Sequence, residues 1–258
     1  MRIIKPIFFT FPPENIPYPF ILLNMNKINQ QIRYVKRYKD QIRIIILDAG
    51  VEIFRNSNIK DYPEGGKGRI DKIVAIYWRL KNITKKVEIW PVIADYPDDY
   101  TPHQLWINNE ITNIERTIEN IIYATDYYKE IPWLIPIQGH FKKPKSITRT
   151  LTILEELGII QKYQKFAIAN LCTESDSNIL YTSIKLARDF LGHKKWIHVF
   201  GPKLKSLHKI KHIIDSFDST SWTRPVSPIL GNWSCKNQFE RVLFFTSWYL
   251  RYLEIVKN

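Results

Sequence analysis

Residues able to do chemistry recur where apolar, strand-like runs stop. Ile213-Ile214-Asp215-Ser216-Phe217 leads into Asp218-Ser219-Thr220-Ser221-Trp222-Thr223-Arg224-Pro225, so a carboxylate is handed to small hydroxyl residues. Ile42-Arg43-Ile44-Ile45-Ile46-Leu47 stops at Asp48-Ala49-Gly50, and the run from Val87 to Ala94 stops at Asp95. Trp133 to Ile137 stops at Gln138-Gly139-His140, Phe166 to Ala169 at Asn170-Leu171-Cys172, and Trp196-Ile197-His198-Val199-Phe200 at Gly201-Pro202. A single aspartate after a strand ordinarily caps the next helix or makes a turn, and that reading fits Asp98 and Asp99. For Asp48, Asp95, Gln138, Asn170 and Asp218 as a set, with His198 near a strand end, convergence of the three aspartates, the glutamine and the asparagine on one mouth is the simpler account. Converging carboxylates suit attack at an anomeric carbon, where one group bonds to the sugar and a second handles protons. A carboxylate can also accept from a ring N–H and an exocyclic amine, and a glutamine amide can serve a carbonyl edge. The inventory therefore suits an N-glycosidic bond and a guanine-like base.

The elements that must position these groups alternate. Strand patterns at 20–24, 42–47, 87–94, 133–137, 166–169 and 196–200 are separated by helical patterns at 27–41, 70–82, 108–129, 146–157 and 176–191. A basic helix over 203–212 precedes the Asp218 stretch, and a closing helix over 236–256 offers Phe239, Val242, Leu243, Trp248, Leu250 and Ile255 to the core. A continuous apolar strand implies burial on both faces, as in a parallel sheet. The run of βα units predicts an α/β fold, a (β/α)8 TIM-like barrel, regular or irregular, as one domain over 1–258. An open doubly wound sheet is the alternative, but no glycine-rich dinucleotide turn follows the first strand. In a parallel barrel all strand C-termini open on one face, which would gather the polar strand-end residues.

Residues 55–70 read as a polar loop, with Gly65-Gly66-Lys67-Gly68-Arg69 near its end. The spacing lacks the Gly-Lys-Ser/Thr of a phosphate loop. A lid, a nucleic-acid contact or a solvated loop is expected instead.

The chain has 258 residues, 45% of them hydrophobic, enough for a sizeable core. Its formal charge of +13 favours a polyanionic partner through counterion release. Lys142, Lys143, Lys203 and Lys205, in the basic segments 142–149, 193–195 and 203–212, are candidates for backbone contact. Aromatic residues make up 14%, which suits stacking on unpaired bases as well as core packing. No apolar run reaches the ~18 residues that would span a bilayer, and no terminal cationic helix with a clean apolar face argues for a membrane surface. Met1-Arg2-Ile3-Ile4-Lys5-Pro6 is broken too soon by proline to be a signal peptide, so a cytoplasmic location is expected. Cys172 and Cys235 are too few for a disulfide framework and are expected to be buried thiols. His208 and His212 lie one helical turn apart without a third ligand, so no metal site is expected.

In order and spacing, these segments resemble the tRNA-guanine transglycosylases and their DNA-acting relatives that insert 7-deazaguanines. Phe217-Asp218-Ser219-Thr220-Ser221-Trp222-Thr223-Arg224 is similar to that family's Phe-Asp-Cys-x-x-Pro-Thr-Arg segment. Asp48-Ala49-Gly50 resembles its Asp-Ser-Gly, Ile93-Ala94-Asp95 its segment with a base-binding aspartate, and Ile137-Gln138-Gly139 its Val-Gln-Gly. Ile168-Ala169-Asn170-Leu171 stands where the family has a Gly-Gly-Leu backbone contact. The resemblance spans about residues 40–225. The chain departs from the family at Val51-Glu52-Ile53-Phe54, at Ala169-Asn170 and at Trp222, and it lacks the three-cysteine, one-histidine zinc subdomain.

The resemblance implies a barrel without the zinc subdomain. It implies Asp218 as nucleophile, Asp48 as the proton-handling residue, and Asp95, Gln138, Gly139, Asn170 and Leu171 as base-binding residues. Arg224 falls in register with the family's arginine and is expected to contact nucleic acid. The implied reaction replaces guanine in DNA or tRNA by a 7-deazaguanine such as preQ0 through a covalent aspartyl-glycosyl intermediate, with no cofactor. DNA is favoured over tRNA because the chain is short and shows neither the zinc element nor an RNA-binding appendage. Two alternatives stand beside exchange: a guanine glycosylase in which water completes the reaction, and a non-catalytic nucleic-acid-binding protein on a decayed barrel.

Overall fold

The computed structural model describes residues 5–56, 58–98, 111–223, 226–227, 231–232, 235 and 237–257. Eight short strands run parallel to their neighbours. They are β1 (Ile7–Phe9), β2 (Phe20–Asn24), β3 (Ile44–Asp48), β4 (Glu88–Pro91), β5 (Ile135–Ile137), β6 (Lys165–Ile168), β7 (Trp196–Val199) and β8 (Ser216–Asp218). They form a five-stranded sheet in the order β1-β8-β7-β6-β5 and a three-stranded sheet in the order β2-β3-β4. At each junction the sheets meet through one isolated parallel bridge, Thr10 with Ile21 and Val92 with Leu134. Backbone bonds accompany both: Leu22 N–H donates to Thr10 O at 3.0 Å, and Leu134 N–H donates to Pro91 O at 2.9 Å. A two-residue antiparallel pair, β9 (Val226–Ser227) with β10 (Gly231–Asn232), lies apart from the sheets.

Helices follow most strands: α1 (Ile28–Tyr38), α2 (Gly65–Thr84), α3 (Asn113–Tyr127), α4 (Ile147–Glu156), α5 (Ile159–Lys162), α6 (Ser177–Leu191), α7 (Leu207–Ile210) and α8 (Gln238–Lys257). The signals that start and stop them are local. Thr112 and Glu115 form a reciprocal capping box at α3, and the Asp176 side chain caps α6. In α1 the buried Ile28, Ile32 and Val35 recur at helical spacing and pack on the sheet, leaving a polar opposite face.

Two apolar clusters follow from the alternation of strand side chains. The larger packs the helices against the strands. The smaller joins Ile7, Phe9, Ile46, Trp90, Val92, Leu134 and Ala167, drawn from both sheets. The α/β class with parallel sheets is thus as expected, and the strand at 20–24 coincides with β2.

Four sequence expectations need correction. Gly65-Gly66-Lys67-Gly68-Arg69 is not loop but the first turns of α2. Gly66 is small because a Cβ there would meet the Asn120 side chain at 2.5 Å and Tyr96 Oη at 2.7 Å. The basic helix over 203–212 is a 3-10 turn, Leu204–Ser206, and the single turn α7, so His212 lies beyond it. On α8 the core contacts come from the expected Trp248 and Ile255 together with Phe245 and Tyr252, whereas Phe239, Leu243 and Leu250 are exposed. That helix is apolar on more than one face, and packing rather than pattern selects the buried one. Cys172 and Cys235, expected to be buried, are both only half-buried.

Candidate active site

Because the strands are parallel, their C-terminal ends share one edge, and a cavity of about 990 Å³ opens there. Asp48, Asp95, Asn170 and Asp218 all line it, together with Glu52. Asp48 is the last residue of β3 and Asp218 the last of β8, while Asp95 and Asn170 follow β4 and β6.

Asp48 is half-buried and faces the cavity. Its Oδ2 accepts from Asn24 Nδ2 at 3.0 Å, and the same amide nitrogen donates to Glu52 Oε2 at 2.7 Å. Burial raises the Asp48 pKa well above the usual carboxylate value. The charges of Glu52, Asp218 and Asp95 push it further in the same direction, against one stabilising bond from the Gly50 N–H. The turn after Asp48 is fixed from behind. Gly50 has φ 84°, in the left-handed region, and a Cβ there would lie 2.6 Å from Asn26 Nδ2. Asn26 Nδ2 donates to Gly50 O at 2.8 Å, and the buried Arg69 donates from Nε to Ala49 O at 2.8 Å. Arg69 also pairs with Glu64 at 3.0 Å and donates to Asn26 Oδ1. Sequence reasoning missed Asn26 and Arg69, which sit in a turn and a glycine-rich segment without a motif of their own.

Asp218 is buried except for its cavity face. Its Oδ1 accepts from the Gly201 N–H at 3.1 Å and lies 3.4 Å from His198 Nε2. The loop beyond it is pinned by Trp222, which is almost wholly buried. Trp222 Nε1 donates to Thr10 Oγ1 at 2.9 Å, and Thr10 Oγ1 donates to Ser219 O at 3.0 Å. Trp222 is therefore a core anchor for the segment carrying Asp218.

Asp95 is buried at the cavity wall, and its carboxylate accepts from Gln138 Nε2. Tyr62 Oη donates to Asp95 O at 2.8 Å. Gln138 is wholly buried behind Asp95 rather than on the cavity wall, and its Oε1 is buried without a hydrogen-bond partner among the described residues. Gly139, Leu171, Lys142 and Lys143 line a much smaller recess beside the cavity, shared with Ala169 and Asn170. Asn170 has φ 67° and so adopts the left-handed conformation that a glycine would take in its place. Its Oδ1 accepts from the Asp98 N–H at 3.0 Å and its Nδ2 donates to Gly139 O. Asp98, read from sequence as a turn residue, instead ties loops together. It is buried, accepts from Asn113 Nδ2 at 3.1 Å and from the Phe141 N–H at 3.2 Å, and lies 3.5 Å from His140 Nδ1. Asp99 lies outside the described residues.

Val51–Arg55 form a 3-10 turn in which Phe54 is wholly buried, stacked edge-on to Tyr62 at 5.0 Å. Glu52 thereby stands beside Asp48 as a fourth carboxylate. Of the expected nucleic-acid residues, Lys203 lines the cavity, Lys205 is exposed outside it, and Arg224 lies outside the described residues. The cavity wall also carries Lys27, Arg33, Arg37, Arg55 and Arg241, none of which sequence reasoning singled out. Lys27, Arg33 and Arg37 belong to the polar face of α1 and its entry turn, a pattern that reads as ordinary solvated surface until the sheet edge is placed beside it. Cys172 also lines the cavity.

Among the described residues no group of three His, Cys, Asp or Glu is placed to hold a metal, and no helix is long and apolar enough to cross a membrane. No protein-family model matches the chain, and no curated protein matches it.

Proposed function

We propose that the cavity is the active site of a transglycosylase that exchanges guanine in a nucleic acid, DNA in preference to tRNA, for a 7-deazaguanine such as preQ0. The same reading takes the eight strands as one closed (β/α)8 barrel in a single domain. The two parallel bridges between the sheet edges and the apolar cluster shared by both sheets support closure. The observation that carries the function is the meeting of Asp48, Asp95 and Asp218 in one cavity at the C-terminal strand edge, on a chain of charge +13.

In this mechanism the free oxygen of Asp218 forms a bond to the sugar C1′ as the C1′–N9 bond breaks, and the electron pair leaves with guanine. Asp48, whose pKa is raised by burial and by neighbouring carboxylates, gives its proton to the departing base. As a carboxylate it then takes the ring proton of the incoming deazaguanine, whose nitrogen attacks C1′ and releases Asp218. Asp95, oriented by Gln138, accepts from the ring N–H and exocyclic amine of either base. Lys27, Arg33, Arg37, Arg55, Lys203 and Arg241 face the phosphates around the target nucleotide. In duplex DNA that nucleotide must leave the stack, at a cost of a few kcal/mol.

The test is incubation of the protein with guanine-containing DNA or tRNA and radiolabelled guanine or preQ0. Label entering the polymer supports exchange. Abasic sites without label replace exchange by the glycosylase reading, and binding with neither product leaves a nucleic-acid-binding protein.

A further inference from the structure

His198 is wholly buried, and no step so far uses it. It stands on β7 beside β8, with His198 paired to Ser216 in register. Trp196, His198, Ser216 and Asp218 alternate along the two strands, so their side chains share one face. Trp196 Nε1 donates to Ser216 Oγ at 2.8 Å. Ser216 Oγ lies 2.9 Å from His198 Nδ1, and His198 Nε2 lies 3.4 Å from Asp218 Oδ1. The imidazole is clamped edge-on by Phe200 at 4.8 Å and Phe9 at 5.8 Å. Nε2 is buried with no hydrogen-bond partner among the described residues.

Donor and acceptor capacities decide where the ring proton sits. An indole N–H can only donate, so Trp196 occupies a lone pair of the Ser216 hydroxyl. The hydroxyl proton then has His198 Nδ1 as its acceptor. Nδ1 is therefore unprotonated, and the neutral ring carries its proton on Nε2, facing Asp218 Oδ1. The opposite tautomer would bury the Ser216 proton without an acceptor and aim a nitrogen lone pair at a carboxylate, an arrangement that leaves two buried groups unsatisfied.

We propose that Trp196, Ser216 and His198 form a hydrogen-bond relay that fixes His198 as its Nε2–H tautomer and so positions the Asp218 carboxylate. The Gly201 N–H and the His198 Nε2–H both address Oδ1, and Oδ2, which no donor reaches among the described residues, is left for the cavity. The present 3.4 Å is long for a hydrogen bond, as contacts in a site without its substrate commonly are. His198 is a positioning residue: it acts through Asp218 and touches no reacting atom. The value of the relay to catalysis rests on the transglycosylase reading; the tautomer does not.

The test is long-range ¹H–¹⁵N correlation spectroscopy of the imidazoles in the full-length protein, with His198→Gln used to assign the His198 signals. The relay predicts a neutral Nε2–H ring in the wild type and a mixed or Nδ1–H population in Ser216→Ala. An Nδ1–H ring in the wild type overturns the relay, as does a tautomer unmoved by Ser216→Ala. If Ser216→Ala does not fold, the wild-type spectrum alone decides. In the exchange assay, His198→Ala should lower kcat roughly tenfold or more with little change in KM, the worth of one hydrogen bond to a charged group. His198→Gln, which keeps an N–H, should recover part of that loss, and equal rates for the two variants overturn the positioning role. An Nε2–H ring in a protein that exchanges no base removes the functional reading and leaves the relay intact.

Discussion

Asn170 joins three strand-end loops, and its replacement separates two energies. In the wild type its left-handed φ of 67° is tolerated because the side chain satisfies the Asp98 N–H and the Gly139 carbonyl. Asn170→Ala loses both bonds and keeps the unfavourable backbone. Each backbone group left unsatisfied costs about 1–3 kcal/mol, and a non-glycine residue in this conformation about 1–2 kcal/mol. Because the wild type carries the same backbone cost, the expected destabilisation is that of the two lost bonds, about 2–6 kcal/mol, toward the lower end where water reaches the loops. Asn170→Gly loses the same two bonds but relieves the backbone, offset in part by the greater freedom of glycine in the unfolded chain. Glycine should thus be about 1 kcal/mol more stable than alanine here, the reverse of their order in an ordinary helix or strand. Urea denaturation of the three proteins, compared at equal m-values, measures both differences. An alanine variant as stable as the glycine variant, or either within ~0.5 kcal/mol of wild type, refutes the reasoning.

Three further outcomes follow from the same geometry. Asp48→Asn should abolish exchange while raising Tm at neutral pH. Because the folded pKa of Asp48 is raised, the wild type loses stability as pH climbs from the ordinary carboxylate value of ~3.9 through the folded one, and the variant should lack that slope in a Tm-versus-pH series. Asp215 behaves oppositely. Burial alone would raise its pKa, but hydrogen bonds from Lys5, the Ile197 N–H and Arg188 hold it below the usual range. Its contribution is present above ~3.9 and is lost as pH falls through the folded value. Asp215→Asn should cost about 2 kcal/mol at neutral pH, less than a fully buried pair because the Lys5 side is exposed, and the loss should vanish in acid denaturation series. Replacing Lys27, Arg33 and Arg37 together by glutamine should flatten the dependence of log K on log salt for duplex DNA by about 2.7, or ~0.9 per phosphate contact. An unchanged slope in fluorescence anisotropy titrations removes α1 from the nucleic-acid surface.

What could be read from the sequence depended on whether the signal was local. β2 and β3 were legible because Phe20-Ile21-Leu22-Leu23 and Ile44-Ile45-Ile46-Leu47 are unbroken apolar runs. The convergence of Asp48, Asp95 and Asp218 was legible because parallel strands place all their C-terminal ends together. The start of α2 was not, since Gly66 answers to Asn120 and Tyr96, which are distant in sequence. The same holds for Asp98, whose partners Asn113, Phe141 and Asn170 come from three later segments. Gln138 was expected at the cavity but lies one layer behind it, because strand pattern gives a position along the edge and not a depth behind Asp95. The cationic face of α1 was missed because charge on an amphipathic helix carries no sign of what it faces.

The central claim is that Asp218 forms a bond to the sugar. The direct measurement is mass spectrometry of the protein denatured during reaction with guanine-containing DNA in the absence of added base. The account predicts a nucleic-acid adduct on the peptide that contains Asp218, absent in Asp218→Asn, which still binds DNA in a salt-dependent way. Full base exchange by Asp218→Asn, or an adduct mapped to another residue, contradicts it.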